Sequence, residues 1–309
     1  MSFNLISPEW PPLDFPQWEN TRDTVHMWTQ IIGKTRMARE PLVNHWWNVT
    51  LYVTPVGLTT GSMPYQGKTF EIEFDFVSHR LRIRTSEGSE HIIKLYARSV
   101  ADFYAEYIAT LQSLGIEIKI NKTPAECDDL TPHDQDQHHA SYDQAYVERF
   151  RRILIQSDRI LQKFRAPFLG KCSPVHFFWG SFDLAVTRFS GRPAPEQPKA
   201  DHMTREGYSH EVISCGFWPG DRRYKSAAFY SYTAPAPTGL ADERVRPDRA
   251  YWDKQMGEFF FKYDDARAAQ SPEAAILDFC QSTYEAGAKL AGWDRSALER
   301  GSSATSAPM

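Results

Sequence analysis

Apolar residues along this chain recur at two spacings, one that suits a helix and one that suits a strand, and the two alternate in blocks. Helical spacing predicts a first helix over residues 21–38. Alternation then predicts strands at 44–54, 69–76, 80–85 and 91–96. The next helix carries Val100, Phe103, Tyr104, Tyr107, Leu111 and Leu114 on one face, with Ser99 at its N-cap, Asp102 at its third position and Gly115 at its end. A second block repeats the order. Its first helix, 146–165, aligns Phe150, Ile153, Leu154, Ser157, Ile160, Leu161 and Phe164, and strands follow at 175–187, 210–217, 227–232 and 258–263. The last helix has Ser271 as N-cap and Pro272 at its first position, carries Ile276, Phe279, Cys280, Tyr284 and Leu290, and stops at Gly292.

Helix, strands, helix thus occurs twice. Laying Thr54 on Thr187 also matches Pro41 with Pro174, Trp46 with Trp179, Leu51 with Leu184 and Val53 with Val186 without a gap. These features predict an α+β fold of two related helix–sheet–helix halves from an internal duplication, with antiparallel sheets covered by helices. The expected segments are a Pro- and aromatic-rich N-terminal stretch at 1–20, a first half at 21–122, a polar acidic connector at 123–143, a second half at 144–300 and a disordered tail at 301–309.

Charge and composition narrow the class. With 35 Lys and Arg against 39 Asp and Glu the net charge is -4, which lacks the basic footprint of a nucleic-acid binder. No apolar run approaches the ~20 residues that span a bilayer, so no membrane partner is expected. Hydrophobic residues at 41% exclude general disorder. Cys127, Cys172, Cys215 and Cys280 are far apart and form no C-x-x-C pair, which reads as four buried thiols in a reducing, cytoplasmic setting. P-loop, G-x-G-x-x-G, G-x-S-x-G and kinase signatures are missing, and neither a cofactor nor an oligomeric state is indicated.

Alternation assigns Val43, His45, Trp47, Val49, Leu51 and Val53 to the core of the first half, and His176, Phe178, Gly180, Phe182, Leu184 and Val186 to that of the second. The opposite face mixes Trp46, Asn48 and Thr50 with Trp179, Ser181 and Asp183. Such groups either satisfy one another inside the protein or line a cleft for a small polar molecule. In the second reading Trp46 and Trp179 supply flat apolar area, Asn48, Ser181 and Asp183 orient the ligand, and Arg188 pairs with a carboxylate or phosphate. His176 and His210 are then the acid/base candidates, with Glu211 orienting an imidazole, provided that a twist or bulge near Gly180 brings His176 to the face of Trp179. His26, His45, His176 and His210 are also the weak candidates for a metal site, its ion unspecified. His133, His138 and His139, among Asp128, Asp129, Asp134 and Asp136, have ligand chemistry, but so polar a stretch reads as a solvated connector. Glu71, Glu73 and Asp75 face Arg80, Arg82 and Arg84, an ion ladder that sets register without any catalysis. The expected function is binding of a small polar molecule, with or without an enzymatic reaction on it. The alternative is a non-catalytic protein whose exposed aromatics meet a protein partner or another subunit.

The stretches HMWTQIIGKTR (His26 to Arg36), NHWW (Asn44 to Trp47), SPVHFFWGSFDLAVTRFSGRP (Ser173 to Pro193), YSHEV (Tyr208 to Val212) and QSTYEAGAKLAGWDR (Gln281 to Arg295) together resemble a bacterial family, domain of unknown function 5996. The resemblance covers nearly the whole chain. It implies bacterial origin and a shared fold, and it carries no activity, cofactor or catalytic residue.

Overall fold

The first helix, α1 (Phe15–Arg39), begins at Phe15 rather than Thr21, because Pro16 suits a first turn and Phe15 and Trp18 are buried. This is a computed structural model describing residues 9–301; the expected tail beyond Gly301 and the first eight residues of the N-terminal stretch lie outside the described residues. The chain divides into two compact units. One is Pro12–Ile155 with His176–Asp183, and the remaining described residues form the other. The division therefore does not fall at 123–143, which belongs wholly to the first unit.

In the first unit α1 is followed by a tight turn, Asn44–Trp46, then β1 (Tyr52–Val53), β2 (Gly57–Tyr65), β3 (Lys68–Asp75), β4 (Arg80–Thr85), β5 (Glu90–Lys94) and α2 (Val100–Ser113). The strands pair antiparallel in sequence order. Side chains alternate in β3 and β4 as expected, with Phe70, Ile72, Phe74, Leu81 and Ile83 buried and Glu71 opposite Arg84 and Glu73 opposite Arg82. Glu73 and Asp75 are buried as well, however, so this end of the acid ladder does not face solvent. The ion ladder forms with a diagonal offset, Arg82 reaching Asp75 at 3.0 Å and Arg84 reaching Glu73 at 2.9 Å. Ser99 caps α2 as expected, its hydroxyl accepting from the Asp102 N–H at 3.0 Å, and Gly115 follows the helix with φ 69.

α3 (Gln144–Arg165) buries the whole predicted stripe from Phe150 to Phe164, and β6 (His176–Phe178) returns to the first unit. The second unit adds β7 (Asp183–Pro193), α4 (His202–Gly207), β8 (His210–Trp218), β9 (Ala228–Ala234), β10 (Tyr251–Asp253), β11 (Glu258–Lys262), α5 (Tyr263–Ala268), α6 (Pro272–Leu290) and α7 (Arg295–Leu298). Its strands run antiparallel in the order β10-β11-β9-β8-β7, with α6 lying on β8 and β9. Ser271 caps α6 through the Ala274 N–H, as its sequence predicts.

Three expectations are corrected. The predicted strand 44–54 is mostly a turn: His45 and Trp46 have φ 58 and 59, which no strand tolerates, and only Tyr52–Val53 pairs with β2. The predicted strand 175–187 breaks at residues 179–182, with Phe182 at φ 60. In both places the face assignment fails because consecutive residues are buried, Val49–Thr50–Leu51 in one and Leu184–Ala185–Val186 in the other, so no solvent-facing side exists to impose a period of two. Finally, Cys215 and Cys280 are not separate thiols. Their Cα atoms are 6.0 Å apart and a disulfide joins β8 to α6 across 65 residues. Sequence spacing hid a pair that only the packing of α6 on the sheet brings together.

Candidate functional site

α1 is not an amphipathic helix in the usual sense, because one of its buried faces is polar. Arg22, His26, Gln30 and Lys34 recur at every fourth position, and all four are buried. The stretch 123–143 covers the far end of that face, at Gln30 and Lys34, while Arg22 lies over the Phe182 ring. Gln30 donates to the Ala125 carbonyl and accepts its N–H, both at 2.8 Å, while Lys34 donates to the Thr123 carbonyl. Thr24 and Thr21 accept the N–H groups of Ser141 and Asp143 at 3.1 and 2.9 Å. The same stretch feeds the start of α2, where the N–H groups of Val100 and Ala101, which have no partner inside the helix, donate to the His139 and Asp136 carbonyls. Residues 123–143 are therefore an ordered, hydrogen-bonded segment, with His133 and Asp136 fully buried. The solvated-connector reading was wrong because its polar groups find partners on α1 that look, in sequence, like a surface.

Burial also sets the ionisation of this region. His26 donates from Nε2 to the carbonyls of Trp179 (3.0 Å) and Gly180 (2.9 Å); its burial, aided by the neighbouring Arg22 charge, holds it neutral well below the usual histidine range. His133 is pushed down to about 3 by burial and by Lys34, whose ammonium lies 3.2 Å away. Lys34 itself is lowered to about 8 by burial.

The residues nominated from sequence fall into different surroundings. Trp179 is core: its Nε1 donates to the Val49 carbonyl at 2.7 Å and its ring lies directly on Gly33 of α1. Asn48 is buried and accepts the Val43 N–H at 3.2 Å, closing the turn it belongs to. Ser181 donates to the Asp183 carboxylate, which is itself buried. Arg188 lies within the second unit, fully buried, with its guanidinium 3.6 Å from the Phe164 ring and 4.3 Å from that of Tyr284, and it donates to the Phe164 carbonyl. Burial lowers its pKa to about 10, and the surrounding rings hold it as a structural cation. His210 and Glu211 open β8 in the second unit: His210 meets the Ser209 hydroxyl at 3.1 Å, and Glu211 accepts from Arg192 at 2.7 Å. His176 belongs to the first unit.

Two of the nominated histidines do come together with aromatic rings. His176, buried on β6, lies 5.7 Å from Trp47, 5.6 Å from Tyr52 and 5.6 Å from Phe178, centroid to centroid; Trp47 in turn lies 5.5 Å from His45. Arg36 of α1 stands 4.9 Å over Tyr52 and donates to the Thr50 carbonyl. Through the contact of Trp47 with His45 this group adjoins the turn in which His45 and Trp46 are both left-handed. Two of the protein's cavities, about 190 Å³ beside the end of α2 and about 170 Å³ around Glu211, Pro235 and Trp293, lie elsewhere and are small for a ligand site.

One constellation has ligand chemistry in the sequence and is assembled by the structure, against the reading of its stretch as a solvated connector. Among the described residues, Asp129, His138 and His139 present ligand atoms within 4.8 Å of one another, and none of His26, His45, His176 and His210 is part of that group. Its signal in the sequence is two adjacent histidines after spaced aspartates, in a stretch whose polarity suggests a solvated connector but whose backbone is tied to α1. The Asp129 carboxylate, although its partial burial opposes this, is held at about 2 by the Thr131 and His138 hydrogen bonds. His139, despite burial, is raised above the ordinary value by Asp136.

No helix among the described residues is long and apolar enough to cross a membrane. No curated protein and no solved structure matches the chain. The sequence model of one family matches residues 10–300, taking in every element above, and the chain belongs to that family, the family of unknown function DUF5996.

Proposed function

We propose that the chain binds a small polar molecule at the turn Asn44–Trp46, with Trp46, Trp47 and Tyr52 as the apolar walls and His45 and His176 as the groups that meet its polar atoms. One observation carries this reading: two consecutive non-glycine residues, His45 and Trp46, are held with φ 58 and 59. Each such residue costs of order 1–3 kcal/mol, and backbone strain of this kind clusters at ligand clamps and active sites. Supporting it, both imidazoles are buried among rings, where an imidazole that takes or gives a proton is insulated from bulk water. Trp179, Asn48, Ser181 and Asp183 act in this reading by shaping the turn and the core behind it, and Arg188, His210 and Glu211 fall outside it.

A second reading has its own support. Leu42 and Val43, directly before the turn, are 56% and 43% exposed, and an apolar edge beside half-buried tryptophans suits a protein partner. Native mass spectrometry of protein purified from its own host separates the two. A retained small molecule that is lost in the His176→Phe variant supports the first; a retained second polypeptide lost on Leu42→Asp supports the partner; neither species in the wild-type spectrum sinks the ligand reading. The recurrence of helix, antiparallel sheet, helix supports an internal duplication as the origin of the two units, although β11 inserts between β9 and β10 in the second. The joined Cys215–Cys280 pair removes cysteine spacing as an argument for a cytoplasmic setting.

A further inference from the structure

We infer that Asp129, His138 and His139, on the segment between α2 and α3, form a binding site for a divalent transition-metal ion of the zinc class. The ligand atoms of the three already lie within 4.8 Å of one another. With metal–ligand bonds of ~2.0–2.2 Å, tetrahedral donors stand roughly 3.3–3.5 Å apart, so the group needs to contract by little more than about 1 Å. Asp129 Oδ2 and His138 Nε2 are nearer than that, 2.6 Å apart, and would part by less than about 1 Å to admit the ion between them.

Two features distinguish this group from an ordinary surface ion-pair cluster. The first is the state of His139. Its side chain is only 10% exposed, and its Nδ1 donates to Asp136 Oδ2 at 2.7 Å. In the neutral imidazole that bond places the proton on Nδ1 and leaves the lone pair on Nε2, which has no hydrogen-bond partner among the described residues. A carboxylate behind an imidazole whose other nitrogen is left to a metal is the usual outer-shell arrangement of metal-binding histidines. The second is the rigidity of that carboxylate. Asp136 is 1% exposed, its Oδ1 accepts the N–H groups of His138 (3.2 Å) and His139 (3.1 Å), and its carbonyl receives the Ala101 N–H at the start of α2. Asp129 is similarly fixed, since Oδ1 accepts the Thr131 N–H at 2.8 Å and only Oδ2 turns to the histidines.

The donor set chooses the ion. Two imidazoles and one carboxylate suit Zn²⁺ or a neighbouring first-row ion, whereas Ca²⁺ and Mg²⁺ require six or more oxygen ligands or an octahedral shell of them. His138 is 53% exposed, so a fourth position opens on solvent, which marks an exchangeable or water-holding site rather than a closed structural one.

The test is equilibrium dialysis of the full chain against Co²⁺ and Zn²⁺, with the visible absorption of bound Co²⁺ reporting its geometry. The expectation is one equivalent bound with a four-coordinate spectrum, an affinity loss of about 100-fold or more for Asp129→Ala and for His139→Ala, and a smaller loss of about 10–100-fold for Asp136→Asn with an altered Co²⁺ spectrum. His138→Ala, at a half-exposed position, keeps the fold intact and must also weaken binding, while His202→Ala, a surface histidine on α4, must not. No retained equivalent in the wild type, or equal binding by the wild type and His138→Ala, overturns the site.

Discussion

Replacing Gly33 by alanine sets two effects of opposite sign against each other. On helix propensity alone the change in mid-helix should stabilise by about 0.8–1.0 kcal/mol. The structure predicts the reverse. A Cβ at Gly33 would lie 2.1 Å from Cδ1 and 2.2 Å from Nε1 of Trp179, against an ordinary contact of about 3.5–4.0 Å. The indole cannot swing aside freely, because it is buried and its Nε1 is bonded to the Val49 carbonyl at 2.7 Å. Overpacking costs about 1–3 kcal/mol and a buried bond left unmade about 1–3 kcal/mol, so after the propensity gain the net loss is about 1–5 kcal/mol. Urea unfolding should show a lowered midpoint with an unchanged slope. Repeating Gly33→Ala on a Trp179→Ala background removes the obstacle, and there the substitution should be neutral or stabilising, giving a large coupling in the double-mutant cycle. A Gly33→Ala protein as stable as the wild type, or additive effects of the two changes, would refute the placement of the indole on α1.

Three further outcomes are expected. His133 is held at about 3 in the folded chain against an ordinary 6.5, so its neutral form stabilises fully above pH 6.5 and that contribution is lost as pH falls from there towards 3; His133→Gln should therefore lessen the loss between pH 7 and pH 5 by about 2 kcal/mol, and an unchanged pH profile of the urea midpoint would exclude a buried neutral imidazole. Arg188→Ala opens a cavity among Phe164, Phe168 and Tyr284 and should cost about 2–5 kcal/mol, whereas Arg188→Met fills it without a buried charge and should cost less than about 1.5 kcal/mol in the same assay. Thiol titration of the denatured, unreduced chain should find two of the four cysteines, Cys127 and Cys172, and reduction of the Cys215–Cys280 bridge across 65 residues should lower stability by about 4 kcal/mol; four thiols without reductant would contradict the bridge.

Local signals were read well from sequence where one physical rule acts alone. The Ser99 and Ser271 caps, the stripe from Phe150 to Phe164 and the alternation of β3 and β4 each follow from a single helix end, a single buried face or a single hairpin. Where elements are covered on both sides, period carried no information: Val49, Thr50 and Leu51 are all buried, and so are Leu184, Ala185 and Val186. The site was legible in part. The imidazoles and rings near NHWW were picked out, but their assembly depends on left-handed residues that no propensity foretells. Asp129, His138 and His139 were misjudged for a long-range reason, since the rigidity of their segment derives from Gln30, Lys34 and Thr24, about a hundred residues away.

The first unit's return to residues 176–183 has a consequence for how the chain emerges from the ribosome. His26 and Gly33, near the N-terminus, acquire their partners only when Trp179 and Gly180 have been made, 153 positions after His26. At roughly 5–20 residues per second that interval alone is about 8–30 seconds. During it the nascent α1 has Gln30 and Lys34 matched by residues 123–143, while His26 and the glycine notch still lack their partners. Nascent chains halted at 155 should therefore be open to proteases and binding by chaperones that those extended past 183 resist, even though 155 residues already include every strand of the first sheet.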